Sequence, residues 1–227
     1  MRILLLGHGR MGRLVESLAP EYGATIAAIV DEHSGVDAIA RAADADVAID
    51  FTLADAVPRN LPQLAARRTN VVIGTTGWNA QEPAMRAIAE KAGLGVLAAS
   101  NFSLGMNIFQ LAVEEASRQF AAHKEFGAWV HEAHHVMKKD APSGTALTIK
   151  AGMERAGYQR AIDMSSTRAG HIPGTHTVGF DGPSETIEFT HTVRDRAVFA
   201  RGALAAAQWL VGKQGWYSIR DILKAQS

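Results

Sequence analysis

The chain has 227 residues, of which 47% are hydrophobic, and its 23 lysines and arginines balance its 23 aspartates and glutamates. A formal net charge of zero supplies no general attraction to nucleic acid or to a membrane surface, so we expect neither as a partner. Because the sequence contains no cysteine, disulfides, thiolate metal ligands and a cysteine nucleophile are excluded.

Short apolar runs alternate with amphipathic stretches through the first hundred residues. The first run, Ile3 to Leu6, is too short for a signal peptide or a membrane span. We therefore expect a cytoplasmic protein whose partners are small molecules or copies of itself. Strands are predicted at 3–6, 25–30, 47–51, 71–73 and 95–98, with helices at 10–18, 54–66 and 82–92. Strands joined through helices form parallel, right-handed, doubly wound sheets, so this α/β pattern predicts a Rossmann unit.

The pattern changes after residue 103, where apolar residues at helical spacing predict a longer helix. Beyond it, 126–133 is predicted to be extended, 143–156 helical, and 175–180 and 185–193 to be strands. A helix at 197–210, rich in small residues, suits packing against the first sheet. The sequence thus predicts a dinucleotide-binding Rossmann domain of residues 1–103 and 197–227. A second α+β domain of residues 104–196, with a mostly antiparallel sheet, is predicted beyond it as the candidate substrate-binding domain.

A glycine-rich turn follows the first strand and opens the first helix, with the sequence Gly7-His8-Gly9-Arg10-Met11-Gly12. Glycines in this context let backbone N–H groups approach the pyrophosphate of a dinucleotide. Asp31 ends the second strand, where an acidic side chain accepts hydrogen bonds from the adenosine ribose. No arginine directly follows Asp31, which favours NADH over NADPH, although Arg10 or Arg13 could reach a 2′-phosphate from the helix.

Two further loops lie at the carboxyl ends of predicted strands, where open α/β sheets bind ligands. Both are candidates for the nicotinamide side of the cofactor site, and both could equally be ordinary turns. They comprise Gly74, Thr75 and Thr76 after the fourth strand, and Ala99, Ser100, Asn101 and Phe102 after the fifth.

The densest group of ionisable residues begins with His131-Glu132-Ala133-His134-His135, which matches the H-E-x-x-H zinc motif. That motif requires a helix, because in a strand His131 and His135 would lie ~13 Å apart. Aromatic and β-branched residues precede it, and the next convincing helix begins after Pro142. We therefore predict extended structure and expect no metal.

The same group fits a substrate site at a helix start. Ser143, Gly144 and Thr145 would offer backbone N–H groups and a positive helix end to a carboxylate or phosphate. His135 and Lys138 would add donors and charge, and a histidine with a nearby lysine forms a proton-delivery pair. The alternative is that Lys138 and Lys139 are a solvated charge run and the histidines satisfy local hydrogen bonds.

These residues resemble the signature of the dihydrodipicolinate reductase family. The resemblance lies in Glu132-Ala133-His134-His135, Lys138 and the run from Asp140 to Ala146. The glycine turn, the two loops and the segments Arg168-Ala169-Gly170 and Gly174-Thr175-His176 extend it over the whole chain. It implies hydride transfer to C4 of an unsaturated cyclic imine dicarboxylate, in lysine and diaminopimelate biosynthesis, and a homotetramer assembled through the second-domain sheet.

The resemblance also implies roles for individual residues. His134 matches the family's proton donor/acceptor and Lys138 its proton donor, while His135, Gly144 and Thr145 match substrate-binding positions. The chain departs from longer members by a compact stretch between 30 and 46, and Asp31-Glu32 stands where a Glu-Arg pair is common. That departure keeps NADH as the preferred cofactor. Alternatives are another Rossmann oxidoreductase, such as an aspartate dehydrogenase, or a non-catalytic NAD(H)-binding module.

Overall fold

A computed structural model describes residues 1–226, with only the backbone of residue 226. The chain divides into two units. The first unit contains Met1–Leu104 and the chain from Ala197 onward, and the second contains Gly105–Arg196. No helix of the described part is long and apolar enough to cross a membrane.

Ten strands and eight α-helices are assigned along the described chain. They are β1 (Arg2–Leu6), α1 (Arg10–Leu18), β2 (Thr25–Val30), α2 (Ala38–Arg41), β3 (Val47–Asp50), α3 (Val57–Arg67), β4 (Asn70–Ile73), α4 (Glu82–Ala92), β5 (Gly95–Ala98), α5 (Leu104–Phe120), β6 (Gly127–His134), α6 (Gly144–Arg155), β7 (Ile162–Arg168), β8 (Thr175–Asp181), β9 (Thr186–Thr192), α7 (Ala197–Leu210), β10 (Gly215–Tyr217) and α8 (Ile219–Gln226).

The first unit is built on a six-stranded parallel sheet with the order β10-β5-β4-β3-β1-β2. Strand β1 is buried on both faces because its side chains alternate between two apolar clusters. Ile3 and Leu5 pack into one cluster, and Leu4 and Leu6 pack into the other. The order reverses beside β1, and ligands bind at such a switch point, outside the carboxyl ends of the strands. The Rossmann prediction is therefore confirmed.

The late helix α7 packs on this sheet, as its small residues predicted. Ala200, Ala203, Ala206 and Ala207, together with Leu204 and Leu210, are buried in the cluster that contains Ile3 and Leu5. Burial of each leucine side chain contributes about 1.5–3 kcal/mol. Helix α5, which follows residue 103, packs in the core of the second unit, whereas α7 packs in the core of the first.

Three elements of the first unit were not predicted. Strand β10 contains only three residues and lies at the sheet edge beside β5, so it has too few positions to show a pattern. Helices α2 and α8 are also short, with four and eight residues. The helix predicted at 54–66 begins at Val57 because Pro58 suits a first helical turn.

The second unit is a four-stranded sheet with the order β7-β6-β8-β9. Strand β6 pairs in parallel with β7 and antiparallel with β8, and β8 pairs antiparallel with β9, so the predicted mostly antiparallel sheet is confirmed. Residues from α5 and α6 form an apolar core with one face of this sheet. Strand β7 was not predicted, because its sequence IDMSSTR is largely polar and lies at an edge.

Candidate active site

The glycine turn of the first unit has the conformation that only glycine tolerates at its first position. Gly7 has a φ of +87°, and a Cβ at this residue would lie 2.5 Å from the Phe51 carbonyl oxygen. A Cβ at Gly12 would lie 2.1 Å from the Gly7 carbonyl oxygen, whereas one at Gly9 would meet nothing within 4 Å. The turn is therefore tight on its inner side and open at Gly9, which suits the close approach of a pyrophosphate to the backbone.

A cavity of about 720 Å³, here called the turn cavity, lies at this turn. Gly7, His8, Gly9 and Asp31 line it, whereas Arg10, Met11 and Gly12 are not among its described lining residues. Met11 instead packs partly against the core, and Gly12 is buried. The His8 ring is turned toward α1, where its Nε2 lies 2.6 Å from a Glu16 carboxylate oxygen.

Asp31 is held in a defined position at the end of β2. Its Oδ1 accepts hydrogen bonds from the Ser34 hydroxyl and the His33 backbone N–H, both at 3.0 Å. These hydrogen bonds lower the pKa of Asp31, so its carboxyl group is ionised at neutral pH. The negative charge of Asp31 attracts hydroxyl donors and repels phosphate groups close to it, while Arg13 and Arg59 add positive charge to the lining of the same cavity.

The two predicted loops after β4 and β5 meet at a second cavity of about 480 Å³, here called the loop cavity. Its lining includes Thr75 and Thr76 of the first loop and Ala99 and Ser100 of the second. Gly74, Asn101 and Phe102 are not among its described lining residues. A Cβ at Gly74 would collide with the Phe51 ring, and Phe102 is buried against the same ring. The Oδ1 of Asn101 accepts a hydrogen bond from the Ser103 N–H at 2.8 Å.

Asp50 links the linings of the two cavities, and sequence analysis assigned it no role. Its side chain is buried at the end of β3 and accepts hydrogen bonds from four donors. They are the Thr52 N–H at 2.9 Å, the Thr52 hydroxyl at 2.5 Å, the Thr75 hydroxyl at 2.9 Å and the Asn60 amide at 3.0 Å. Thr52 and Asn60 line the turn cavity, and Thr75 lines the loop cavity. The sequence did contain a signal for Asp50, because it is an aspartate at the end of an otherwise apolar strand.

In the second unit, the inward face of the sheet changes from apolar to polar toward one end. Ala128 and Val130 of β6 are buried in the core, and Glu132 and His134 follow them on the same face. Strand register places His176 opposite Glu132, and His191 opposite His176. The polar end of the sheet therefore contains residues from all four strands, namely Glu132, His134, Arg168, His176 and His191.

Glu132 is the centre of this polar end and is fully buried. Its Oε1 accepts hydrogen bonds from Arg168 Nη2 at 2.7 Å and from the Ser143 N–H at 3.3 Å. Its Oε2 accepts from Arg168 Nη1 at 3.0 Å and also bonds His134 Nδ1. Burial by itself would raise the pKa of Glu132, but the hydrogen bonds from Arg168, Ser166 and His134 lower it to about 2.

His134 and His176 face each other with ring centroids 5.1 Å apart. Burial lowers the pKa of His134, and although Glu132 opposes this effect, the net direction is downward. Burial likewise lowers the pKa of His176 to about 4. Both imidazoles are therefore neutral near pH 7 and able to accept a proton or a hydrogen bond.

The loop between β6 and α6 carries Lys138. Its ammonium group lies 2.8 Å from an Asp140 carboxylate oxygen, and a quarter of the side chain is exposed. The Lys138 N–H donates to the His135 carbonyl oxygen at 3.1 Å, which closes a turn directly after β6. Arg168 Nη2 donates to the Asp140 carbonyl oxygen at 2.5 Å, so this loop is also tied to β7.

Helix α6 begins as predicted, next to this loop. Ser143 is its N-cap, with its hydroxyl accepting from the Ala146 N–H at 3.2 Å and lying 3.2 Å from His176 Nε2. Ser143 is buried, but Gly144 is exposed, and a Cβ there would meet nothing within 4 Å. The exposed start of a twelve-residue helix is favourable for a carboxylate.

The extended structure predicted for the H-E-x-x-H sequence is confirmed. Strand β6 ends at His134, and His131 lies on the opposite face, where its Nδ1 is 2.8 Å from the Ser165 hydroxyl. Donor atoms of Glu132, His134 and His176 do lie within 4.8 Å of one another. We assign no metal to them, because the Arg168 guanidinium already bonds both Glu132 oxygens and would repel a cation.

Sequence analysis thus missed the residues that surround His134. It assigned no role to Glu132, Arg168, His176 or His191. Glu132, Arg168 and His176 lie in segments that carried the family resemblance, and that resemblance could have drawn attention to them. The structure brings His134, Lys138, Ser143 and Gly144 to one end of the second unit, and it brings Gly7, Asp31 and Thr75 to the carboxyl edge of the first sheet.

A Rossmann sheet with a dinucleotide-type turn, together with a second unit that carries histidine and lysine beside the exposed start of a helix, defines a nicotinamide-dependent oxidoreductase. Comparisons with known proteins identify the group within this class. The family described as "Dihydrodipicolinate reductase, N-terminus" matches residues 1–102, and "Dihydrodipicolinate reductase, C-terminus" matches residues 105–223. The chain belongs to the dihydrodipicolinate reductase family, and the membership predicted from the sequence is confirmed.

Curated relatives and a solved structure agree with this assignment. The chain is 40% identical to a 4-hydroxy-tetrahydrodipicolinate reductase of Stenotrophomonas maltophilia, over 99% of this chain and 98% of the relative. It is 38% identical to the enzyme of that name from Methanoregula boonei, over 95% and 94%. The fold is similar to that of a dipicolinate-bound dihydrodipicolinate reductase from Paenisporosarcina sp. TG-14. The TM-score is 0.82 at 19% identity, over 96% of this chain and 97% of that one.

Proposed function

We propose that this protein reduces 4-hydroxy-tetrahydrodipicolinate, or its dehydrated form dihydrodipicolinate, to tetrahydrodipicolinate, a step of lysine and diaminopimelate biosynthesis. The observation that carries the proposal is the arrangement of His134, Lys138 and the exposed start of α6 in a chain of this family. The reaction adds a hydride at C4 of the ring and a proton at C3. It therefore needs a nucleotide site, an anion site and a proton donor.

The first unit holds the nucleotide in this proposal. Backbone N–H groups of the glycine turn receive the pyrophosphate, and ionised Asp31 accepts hydrogen bonds from the ribose hydroxyls. The loop cavity receives the nicotinamide side, through Thr75, Thr76 and Ser100. When bound, the reduced nicotinamide supplies the hydride. The charge on Asp31 repels a 2′-phosphate, so NADH is the preferred cofactor and NADPH the weaker one.

The second unit holds the cyclic dicarboxylate. The start of α6 binds one carboxylate through the N–H groups of Gly144 and Thr145, in place of the Asp140 carboxylate that accepts from the Gly144 N–H in the structure. His135 and Lys138 supply further donors. The Ser143 hydroxyl is bonded within the protein to Ala146 and His176, and its N–H is bonded to Glu132. Ser143 therefore shapes the helix start instead of contacting the ligand through these groups.

Proton transfer is assigned to His134 and Lys138. The Lys138 ammonium donates a proton toward the ring and also stabilises negative charge that develops next to the carboxylates. His134 is neutral near pH 7, so it accepts a proton and returns it.

The proposed protein is a cytoplasmic homotetramer assembled through the sheet of the second unit. Strand β9 supports this assembly, because it is an exposed edge strand, and exposed edges pair readily with another chain. Light scattering coupled to gel filtration measures the mass, and a monomer at all concentrations would contradict the assembly.

The activity is tested by mixing purified protein with freshly prepared substrate and either NADH or NADPH, and following the reduced nicotinamide absorbance. Loss of absorbance with both cofactors, faster with NADH, is the expected result. No oxidation with either cofactor would overturn the proposal. Oxaloacetate with ammonia serves as the comparison substrate, because turnover with that pair alone would indicate an aspartate dehydrogenase.

A further inference from the structure

We infer that Glu132 and Arg168 form a positioning pair that holds His134 with its Nδ1–H on the buried carboxylate and its Nε2 directed away from it. The inference rests on the proton-transfer role proposed above for His134. Neither residue of the pair is expected to touch substrate. Their function is to fix which ring nitrogen of His134 carries the proton and where the other nitrogen points.

The hydrogen-bonding capacity of Glu132 determines the tautomer. An ionised carboxylate can only accept hydrogen bonds, and the pKa of about 2 keeps Glu132 ionised at any working pH. Since Glu132 Oε2 bonds His134 Nδ1, that nitrogen must be the donor. In the neutral ring the lone pair then lies on Nε2, which is the atom left for proton exchange.

Gly174 lies against the other side of the ring. A Cβ at this residue would come within 3.1 Å of His134 Nε2, so any side chain there would cover the nitrogen. The φ of Gly174 is +146°, a conformation that other residues rarely adopt. The fold thus bonds one ring nitrogen to Glu132 and places a glycine, which has no side chain, next to the other.

Arg168 has two roles in the pair. Its guanidinium bonds both oxygens of Glu132, which prevents the carboxylate from rotating away from His134. The same guanidinium donates to the Asp140 carbonyl oxygen, two residues after Lys138. Glu132 also accepts from the Ser143 N–H at the start of α6. The pair therefore fixes His134, the lysine loop and the anion-binding helix start relative to one another.

The two members of the pair act on His134 with opposite electrostatic signs. The Glu132 charge favours the protonated ring, whereas the charges of Lys138 and Arg168 oppose it. His176, the remaining titratable neighbour from β8, is neutral near pH 7, and Asp140 is engaged by Lys138. Neutralising Glu132 should therefore lower the pKa of His134. Removing the Arg168 charge should raise the proton affinity of the Glu132–His134 pair.

These opposite shifts distinguish a positioning role from a purely structural one, because a variant that only destabilises the protein should not shift the His134 titration. The variants are Glu132→Gln, which keeps the side-chain shape, and Arg168→Gln, with Arg168→Lys as a charge-preserving form. Arg160→Lys is the matched control, because Arg160 is a half-buried arginine of the same unit whose guanidinium bonds carbonyl oxygens of residues 120–126, which precede β6, whereas His134 is the last residue of that strand. Histidine-selective 15N NMR reports the tautomer and titration of His134, assigned by its loss in His134→Asn.

The parent protein should show the Nδ1–H tautomer. The titration should move to lower pH in Glu132→Gln and to higher pH in Arg168→Gln, with less change in Arg168→Lys. The kcat should fall ~10–100-fold in Glu132→Gln while the KM for NADH stays within ~2-fold. Arg160→Lys should lower the melting temperature and leave the titration midpoint of His134 unchanged.

An Nε2–H tautomer in the parent would overturn the inference. So would an unchanged titration in Glu132→Gln, even if Arg168→Gln does not fold. These NMR results are obtained without substrate, so they are independent of the proposed activity. Full turnover in His134→Asn would instead remove the proton-transfer role on which the inference rests.

Discussion

The Asp50 carboxylate accepts a hydrogen bond from the Thr75 hydroxyl at 2.9 Å, which joins the end of β3 to the loop after β4. Because Asp50 also bonds Thr52 and Asn60, one buried side chain fixes residues of both the turn cavity and the loop cavity. A ligand that extends across the carboxyl edge of the sheet needs both regions in place before it binds. We therefore expect Asp50 to preorganise the proposed nucleotide site.

Asp50→Ala should weaken NADH binding by roughly tenfold or more and destabilise the protein, because buried donors lose their acceptor at about 1–3 kcal/mol each. Fluorescence titration with NADH and urea unfolding measure the two effects. Asp46→Asn is the control, since Asp46 lies before the opposite end of β3 and bonds the Arg2 N–H. Unchanged NADH affinity in Asp50→Ala would contradict the role given to Asp50.

Asp31 should determine the cofactor preference. Asp31→Ser removes the negative charge from the turn cavity, so kcat/KM for NADPH relative to NADH should rise roughly tenfold. Steady-state kinetics with both cofactors give this ratio. Asp44→Asn, which removes a fully exposed carboxylate elsewhere, should leave it unchanged. If Asp31→Ser leaves the ratio at the parent value, Asp31 does not discriminate between the cofactors.

A substitution at Gly144 tests the proposed anion site without disturbing the fold. A Cβ at Gly144 meets nothing in the protein within 4 Å, so Gly144→Ala should preserve or slightly raise stability. The added methyl group would occupy the approach to the helix start, and the KM for the dicarboxylate should rise ~10-fold. Gly127→Ala, where the nearest atom is 4.0 Å away, is the matched control. Parent-like KM values in Gly144→Ala would exclude a ligand at this helix start.

His176 should make stability depend on pH in mildly acidic solution. Its pKa is lowered from 6.5 to about 4 in the folded protein, so the unfolded chain binds more protons between these values. The contribution is present above pH 6.5 and is lost as pH falls toward 4, which amounts to about 2 kcal/mol between pH 7 and 4.5. His176→Asn should reduce this loss in urea unfolding at the two pH values. An identical loss in parent and variant would show that other groups cause it.

Local patterns in the sequence predicted much of the fold. Strand β1 and the glycine turn were predictable because an apolar run and a Gly-x-Gly spacing lie within a dozen residues. Strands β7 and β10 were not, since one is polar and the other has three residues. Both become strands only through pairing with β6 and β5.

The candidate site was predicted in part for the same reason. His134, Lys138 and Gly144 lie within eleven positions of one another, so their proximity was visible in the sequence. The pairing of Glu132 with Arg168 spans 36 residues and depends on the register of β6 against β7. The position of His176 depends in the same way on the register of β8. No local pattern encodes these registers, and for that reason the surroundings of His134 emerged only from the structure.

The central claim is that Lys138 delivers a proton to a dicarboxylate reduced by a nicotinamide. The most direct measurement compares Lys138→Ala with Lys139→Ala, an adjacent exposed lysine, in the NADH oxidation assay with fresh substrate. Lys138→Ala should lower kcat by ~10² or more with NADH affinity nearly intact, and Lys139→Ala should match the parent. Equal turnover in the parent and in both variants would contradict the claim.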